Sequence, residues 1–422
     1  MMRSALLALG IVLSSATQMR VANLPFGPGE FAILLWIVVG VLDLLVGSAS
    51  SDFAPLFRLA AFWILFTLAL SVGAFIGFLV ENRVSTELLL HDTFAYLLMG
   101  VLSCLAMSIP DAPVQFRRTA WYLMLFGNIG IAAQIAAGWH VISLSSVDPW
   151  YWDRFRGWAE NPNQLAITSC VMVLLAVHLS LTSAGFVRLV GVLAAVGPFI
   201  AGRLSKSDTF ISVMILSGAI LFILQLRDWL LAATHRAHLR YALAVLTIIL
   251  ALPAAVSVWP FAKTGANDAE ALALSLAKDK GGEASERTFD LRLHLWEQAM
   301  EVGLSSGSFG LGPGPHLDPP SITTRVDNWD EPFEAHNTPL DVFLQGGMLG
   351  LAVLGGLLAS TALQLYQHRV NALLTLLVAL AIFSNAHFVL RHPIFWFALS
   401  FCVSAGYAAP EVEFSSTPNA RR

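Results

Sequence analysis

The sequence predicts an all-α polytopic membrane protein, with about 12 transmembrane helices and a large, partly helical outward loop before the tenth. Two observations carry this. Hydrophobic residues fill 56% of the 422 positions, charged residues fill only 12%, and the mean hydropathy is +0.69. A soluble domain carries roughly 25% charged residues, so this chain could not cover its surface in water. The apolar residues also fall into runs of spanning length, separated by short polar stretches.

A spanning helix takes about 20 mostly apolar residues. Such runs centre on 5–17, 31–47, 58–80, 94–109, 119–137, 164–180, 186–201, 210–226, 241–260, 339–365, 372–388 and 393–407. The first is short and follows Arg3, so it reads either as a span or as a signal peptide. Four regions follow: an N-terminal bundle of about nine helices over 1–260, a loop domain over 261–337, C-terminal helices over 338–409, and a tail over 410–422.

The distribution of Lys and Arg sets the orientation. With the N-terminus inside, the inner segments hold eleven arginines (Arg3, Arg58, Arg117, Arg118, Arg188, Arg227, Arg236, Arg240, Arg369, Arg421, Arg422). The short outer loops hold seven cations (Arg20, Arg83, Arg154, Arg156, Arg203, Lys206, Arg391), mixed with most of the carboxylates. Both termini are therefore expected inside, and the polar stretches 138–163, 202–208 and 261–337 share the outer face. Within the last, EALALSLAKD (270–279) and DLRLHLWEQAMEV (290–302) read as amphipathic helices, the second offering Leu291, Leu293, Leu295, Trp296 and Met300 to apolar material. SSGSFGLGPGPHLDPP is irregular by its Gly and Pro content.

Candidate chemistry gathers on that outer face. EAHNTPLDVFLQGGMLGL (334–351) starts a span, with Thr338 expected as N-cap, Pro339 as the first helical residue and Asp341 closing a capping-box variant. His336 and Asn337 stand outside that account, beside free helix N–H groups where an anion is favoured and where a histidine exchanges protons near neutral pH. Gly346, Gly347 and Gly350 are expected to admit a neighbouring helix. Arg154 and Arg156 lie in DPWYWDRFRGWAENPNQLA, near Asn163. Arg203 and Lys206 lie in AGRLSKSDTF, and Arg287 and Arg292 lead the loop helix. Several cations on one face suit a multiply charged anion such as a lipid pyrophosphate.

Other classes lack a basis. The net charge of −4 offers nothing to nucleic acid. There is no P-loop, no dinucleotide fingerprint, no HExxH and no DxD pair, and no metal or cofactor is expected. Cys104, Cys170 and Cys402 sit in apolar runs as structural thiols. Asp43 is the only clear acid deep in a span, whereas a transporter carries charge at the membrane midplane.

ENPNQLA (160–166), LSKSDTF (204–210), RLHLWEQAM (292–300), FGLGPG (309–314) and AHNTPLDVFLQGGMLGL (335–351) follow one another in an order that resembles the O-antigen ligase and polysaccharide polymerase superfamily of bacterial inner-membrane proteins. The resemblance implies a metal-independent glycosyltransferase at the periplasmic face. Its donor would be a glycan on undecaprenyl pyrophosphate, its acceptor a sugar hydroxyl on another glycan or on lipid A core, and its neighbours membrane lipids and other polysaccharide-assembly proteins. It implies His336 as the residue that engages the acceptor hydroxyl, Arg292 (or Arg287) as the loop cation, and Arg203 or Lys206 as the cation near the pyrophosphate. The family's arginine between small residues is here Ser205-Lys206-Ser207, which leaves those two open. Arg154, Arg156, Asn163 and Asn337 are expected to line the substrate. LSKSDTF leans the reading to polymerase, with ligase as the alternative and a lipid-glycan flippase as the alternative of another class.

Overall fold

The computed structural model describes residues 1–20, 27–46, 53–80, 86–142, 147–231, 282–318 and 332–407, with backbone alone over 282–290. Among these residues it is an all-α bundle. In chain order the helices are α1 (Met2–Ser14), α2 (Pro28–Val46), α3 (Phe53–Val80), α4 (Thr86–Met107), α5 (Ala112–Gly138), α6 (Pro162–Leu181), α7 (Gly185–Ala194), α8 (Val196–Leu204) and α9 (Asp208–Leu231). Then come α10 (Gly282–Ser305), α11 (Thr338–Gln367), α12 (Asn371–Ser384) and α13 (Pro393–Tyr407). Eight spans are long and apolar enough to cross a membrane, α7 and α8 running on as one; α1, α12 and α13 are shorter apolar helices. The expected ninth span (241–260), the loop helix 270–279 and the tail lie outside the described residues.

The helices form for reasons visible in their residues. Runs of Ala, Leu, Ile, Val and Phe satisfy every backbone group internally, as a membrane interior demands. Starts are marked by proline in the first turn of α5, α6 and α11, and the side chains of Asn161 and Asn337 cap α6 and α11. α1 is part of the bundle, packed against α2 and α5, with Ala8 and Ile11 almost fully buried. α6 is buried on nearly all sides, with α8 and α12 beside it, and α11 lies along α3. Phe62, Trp63 and Phe66 of α3 pack with Trp396 of α13, the two indole rings 4.4 Å apart. Cys170 and Cys402 are buried and Cys104 partly so, all three as free thiols.

α11 is broken. Gly347 has φ 62° and ψ −162°, outside the helical region. Helix hydrogen bonds are lost there, and the FGLGPG segment replaces them. The Leu311 amide donates to the Leu344 carbonyl at 2.7 Å, the Gly312 amide to Gln345 at 2.9 Å, and the Met348 amide to Ser308 at 2.9 Å. Each such group left unpaired inside a membrane would cost several kcal/mol. Space for the inserted backbone comes from glycine: a β-carbon on Gly347 would meet the Ser308 carbonyl at 2.3 Å, and one on Gly73 of α3 would meet the Gln345 carbonyl at 2.2 Å. The glycines of α11 therefore serve two purposes. Gly346 and Gly350 do face α3, as expected of a helix contact, but Gly347 admits a loop instead.

Asp43 does not stand alone in its span. It pairs with Arg3 at 2.9 Å near the end of α2. Two helix carboxylates are buried among the described residues, Asp341 in the first turn of α11 and Asp92, 1% exposed, which the apolar-run reading excludes by starting the fourth span at Phe94; α4 begins at Thr86.

Candidate active site

Cross-links between distant parts of the chain define one end of the bundle. The amide of Gln18 donates to Trp158, Arg154 to the Ser205 carbonyl, Trp296 to Ala335, Asn337 to Asn385, and Thr338 to His387. The stretches 15–20, 147–163, 202–208, 332–337 and 385–392 therefore meet, together with α10.

His336 sits at the start of α11 in a left-handed conformation, φ 51°. Its neighbours hold it there. Asp341 accepts from the amides of Ala335 (2.8 Å) and Asn337 (3.1 Å), one on each side of the histidine. Trp296 Nε1 donates to the Ala335 carbonyl at 3.0 Å. The expected cap is displaced by one residue: Asn337, not Thr338, is the N-cap, its side chain accepting from the Leu340 amide at 3.2 Å. Thr338 instead donates to the His387 carbonyl at 2.7 Å. Asp341 lies too far along to complete an ordinary capping box and braces the histidine's flanking amides.

α10 brings the loop cation. Leu291, Leu295, Trp296, Ala299 and Val302 form its packed face, at helical spacing. Leu293 and Met300, expected on that face, are 44% and 45% exposed because they fall on the opposite side of the turn. Arg292 lies one turn before Trp296, and no carboxylate of the described residues is within ion-pair distance of it. Removal from water lowers its pKa, the charge of Arg154 adds to this, and Asp208 opposes it. The side chain of Arg287 lies outside the described residues.

Arg154 comes from a small hairpin, β1 (Trp150–Tyr151) and β2 (Arg154–Phe155), pinned by the buried ring of Phe155 against Trp139 and Trp150. Its guanidinium donates to the Ser205 carbonyl (3.0 Å) and to Asn163 Oδ1 (3.1 Å). Its pKa is lowered by burial, against the pull of Asp208 and Asp153. Arg156, two residues on, is committed to its own loop: it donates to the Asp148 carbonyl and carboxylate and to the Glu160 carbonyl, and lies over the Tyr151 ring. Lys206 is exposed and ion-paired with Asp153 at 2.7 Å, an attachment that holds the Asp153 carboxyl below its usual range. Arg203 is exposed in the last turn of α8. The structure thus brings Arg154, Arg292, His336 and Asn337 together, sets Arg203 and Lys206 on either side of Ser205, which anchors Arg154, and directs Arg156 elsewhere.

Two further groups belong to this end. His387 lies in the connection between α12 and α13, its Nε2 3.5 Å from the Thr209 hydroxyl. Burial, then the charges of Arg292 and the neighbouring His336, push its pKa down to about 3. Apolar-run reading had placed His387 inside a span, but α12 ends at Ser384. Arg391 pairs with Asp92 at 2.7 Å and with Glu334. The signal in the sequence was NAHFVLRHP (385–393), a short connection with three cationic or ionisable side chains. His336 itself is open to solvent on one side. Crowding by protein around the ring lowers its pKa; Glu334 opposes this, and Arg292 and Arg391 reinforce it. At pH 7 it is a neutral imidazole able to accept a proton, within the field of Arg292, which has no carboxylate contact among the described residues. Among the described residues, no three His, Cys, Asp or Glu side chains are grouped to ligate a metal ion.

No curated protein matches the chain. Residues 168–355 match a family model described as O-Antigen ligase, a stretch running from α6 to the lower part of α11 and containing Arg203, Lys206, Arg287, Arg292, His336 and Asn337. This match, the order of the motifs and the all-α membrane architecture make the chain similar to the O-antigen ligase and polysaccharide polymerase superfamily.

Proposed function

We propose that the protein is a metal-independent glycosyltransferase of the bacterial inner membrane. It moves a glycan from undecaprenyl pyrophosphate to a sugar hydroxyl at the periplasmic face, with both termini cytoplasmic. The observation that carries this is the meeting of a neutral, backbone-clamped His336 with Arg292 and Arg154. His336 takes the proton of the acceptor hydroxyl as its oxygen attacks the anomeric carbon. The bond from that carbon to the phosphate oxygen breaks, and undecaprenyl pyrophosphate leaves with the electron pair. Arginines can neutralise the charge that grows on the departing phosphate, so most of the catalysis is positioning and electrostatic stabilisation. Arg203, exposed at the rim, is a further donor contact in this reading, with Arg287 and Lys206 beside it. Direct attack inverts the anomeric centre; a trapped glycosyl-enzyme would contradict it.

LSKSDTF favours polymerase, in which the acceptor is another lipid-linked repeat. The description of the matching family favours ligase, in which it is lipid A core. Charges that gather at one end of the bundle, with Asp43 paired to Arg3, favour an enzyme over a flippase.

The test is incubation of purified protein with lipid-linked repeat units alone. Ladders of lengthened lipid-linked glycan mean polymerase, and product only after lipid A core is added means ligase. No transfer to any acceptor returns the flippase. His336→Ala should lower transfer by about 10³-fold, the scale of general-base catalysis, with normal expression. Near-normal turnover in that variant would refute the assignment of His336.

A further inference from the structure

We propose that Arg391 is a positioning residue for His336, acting through Glu334 and anchored on Asp92. The proposal rests on the reading of His336 as the acceptor base.

One guanidinium joins three parts of the chain. Arg391 lies in the connection between α12 and α13. One nitrogen donates to Asp92 Oδ1 of α4 at 2.7 Å, and the other to the carboxylate of Glu334, two residues before His336. Phe388 lies beneath the guanidinium, 4.8 Å from its ring centre. Asp92 is 1% exposed and also meets His91 Nδ1 at 3.0 Å. Its depth makes it a fixed point, since a buried carboxylate without a cation costs several kcal/mol. The forked guanidinium reaches two carboxylates in set directions, which an ammonium does not.

The other holds on this segment are of a different kind. Asp341 and Trp296 bind main-chain atoms of residues 335 and 337, which fixes the path of the peptide. Arg391 fixes a charge. Among the described residues, Glu334 is the carboxylate whose field reaches His336 strongly, and it favours the imidazolium; Arg292 and Arg391 favour the neutral ring, and His387 is an electrostatic neighbour of the histidine. Held by Arg391, Glu334 is kept in one place and largely neutralised. Burial works against the charge of Arg391, but Glu334 and Asp92 more than offset this and raise its pKa, so it stays charged throughout the working range. If Arg391 is lost, the carboxylate of Glu334 stands unopposed beside His336. The histidine then holds its proton to higher pH and is a base over a narrower range.

Arg391→Gln alone strands Asp92, so the test uses the double variant Asp92→Asn/Arg391→Gln, in which both buried partners are neutral. Full-length protein with ¹³C-labelled histidine is titrated by NMR in nanodiscs, His336 being assigned by its loss in His336→Gln. The expected result is a rise of at least about half a pH unit in the His336 midpoint, the size of one partly screened charge. The acid limb of glycan transfer should move with it. Adding Glu334→Gln should bring the midpoint back. Arg391→Lys should leave the midpoint near the parent value and lower turnover several-fold, because charge is kept and the fork is lost. An unmoved midpoint in a double variant that melts as the parent does would overturn the proposal. A midpoint that moves while the acid limb stays put upholds the role of Arg391 and refutes His336 as the base, so the two readings fail separately.

Discussion

The His336 end of the bundle holds, beside the carboxylate-paired Arg391 and Arg156, two arginines unlike those of the other end. At the end away from His336, cations meet protein partners. Arg3 pairs with Asp43, and Arg117 donates to the Thr182 carbonyl. Arg227 donates to Asp228, which also accepts from Asn371, and stacks on the Tyr366 ring at 4.4 Å. At the His336 end, Arg154 and Arg292 are half-buried and close enough to repel one another, and neither touches a carboxylate among the described residues. Desolvating like charges together is unfavourable, so the fold tolerates a local cost at this end. In the proposed reaction, such an arrangement suits a site that receives a pyrophosphate. Arginines that hold the bundle together thus differ from Arg154 and Arg292, which the proposed function leaves for an anion.

The sharpest way to break this contrast is to remove a cation from each end. Arg292→Ala or Arg154→Ala should lower transfer by about 10²-fold, the scale of losing one preorganised electrostatic contact, while melting temperature holds or rises. Transfer assays and thermal melts on the same preparations check this. Arg227→Ala should do the reverse, lowering stability by about 1–2 kcal/mol with turnover of the folded protein intact. A pair of variants that lose both properties together would erase the distinction.

Acid stability probes the same end more gently. His387 and His392 are held neutral in the fold, with pKa values pushed down to about 3 and about 4, chiefly by burial. An unfolded histidine titrates near 6.5. Between about 6.5 and 4 the unfolded chain binds more protons than the folded one, so stability falls as pH falls through that window. Melts at pH 7 and pH 5 should differ, and His392→Gln should shrink the difference. The smallest effect is expected at Lys206. Lys206→Gln breaks an exposed ion pair with Asp153, of the kind worth little, and should change turnover less than about threefold. A large loss there would move the pyrophosphate site toward the α8–α9 turn and away from Arg292.

Much of this was legible in the sequence, and the limits have physical reasons. Composition and apolar run length gave the class and most spans, because a membrane interior forces every backbone group into a helix. The motif order brought out His336, Asn337, Arg292 and the loops around them. What one sequence could not convey was the partnering of each cation. Arg154 and Arg156 look alike two residues apart, and only the return of Asp148 and Glu160 to Arg156 tells them apart. Asp92 and His387 were misplaced because an average over an apolar run cannot register one polar side chain at its edge. The pairing of Asp92 with Arg391 spans about three hundred positions, and no local pattern encodes it.

The splice at Gly347 bears on how such a protein can change over time. Ser308, Leu311 and Gly312 are fastened to α11 by main-chain atoms alone, so the side chains nearby are free to vary without loosening the joint. The few glycines beneath it have no such liberty, since any methyl group there collides with a carbonyl. A lineage could recast the lining of the glycan site for a new sugar many times over while these glycines stayed fixed.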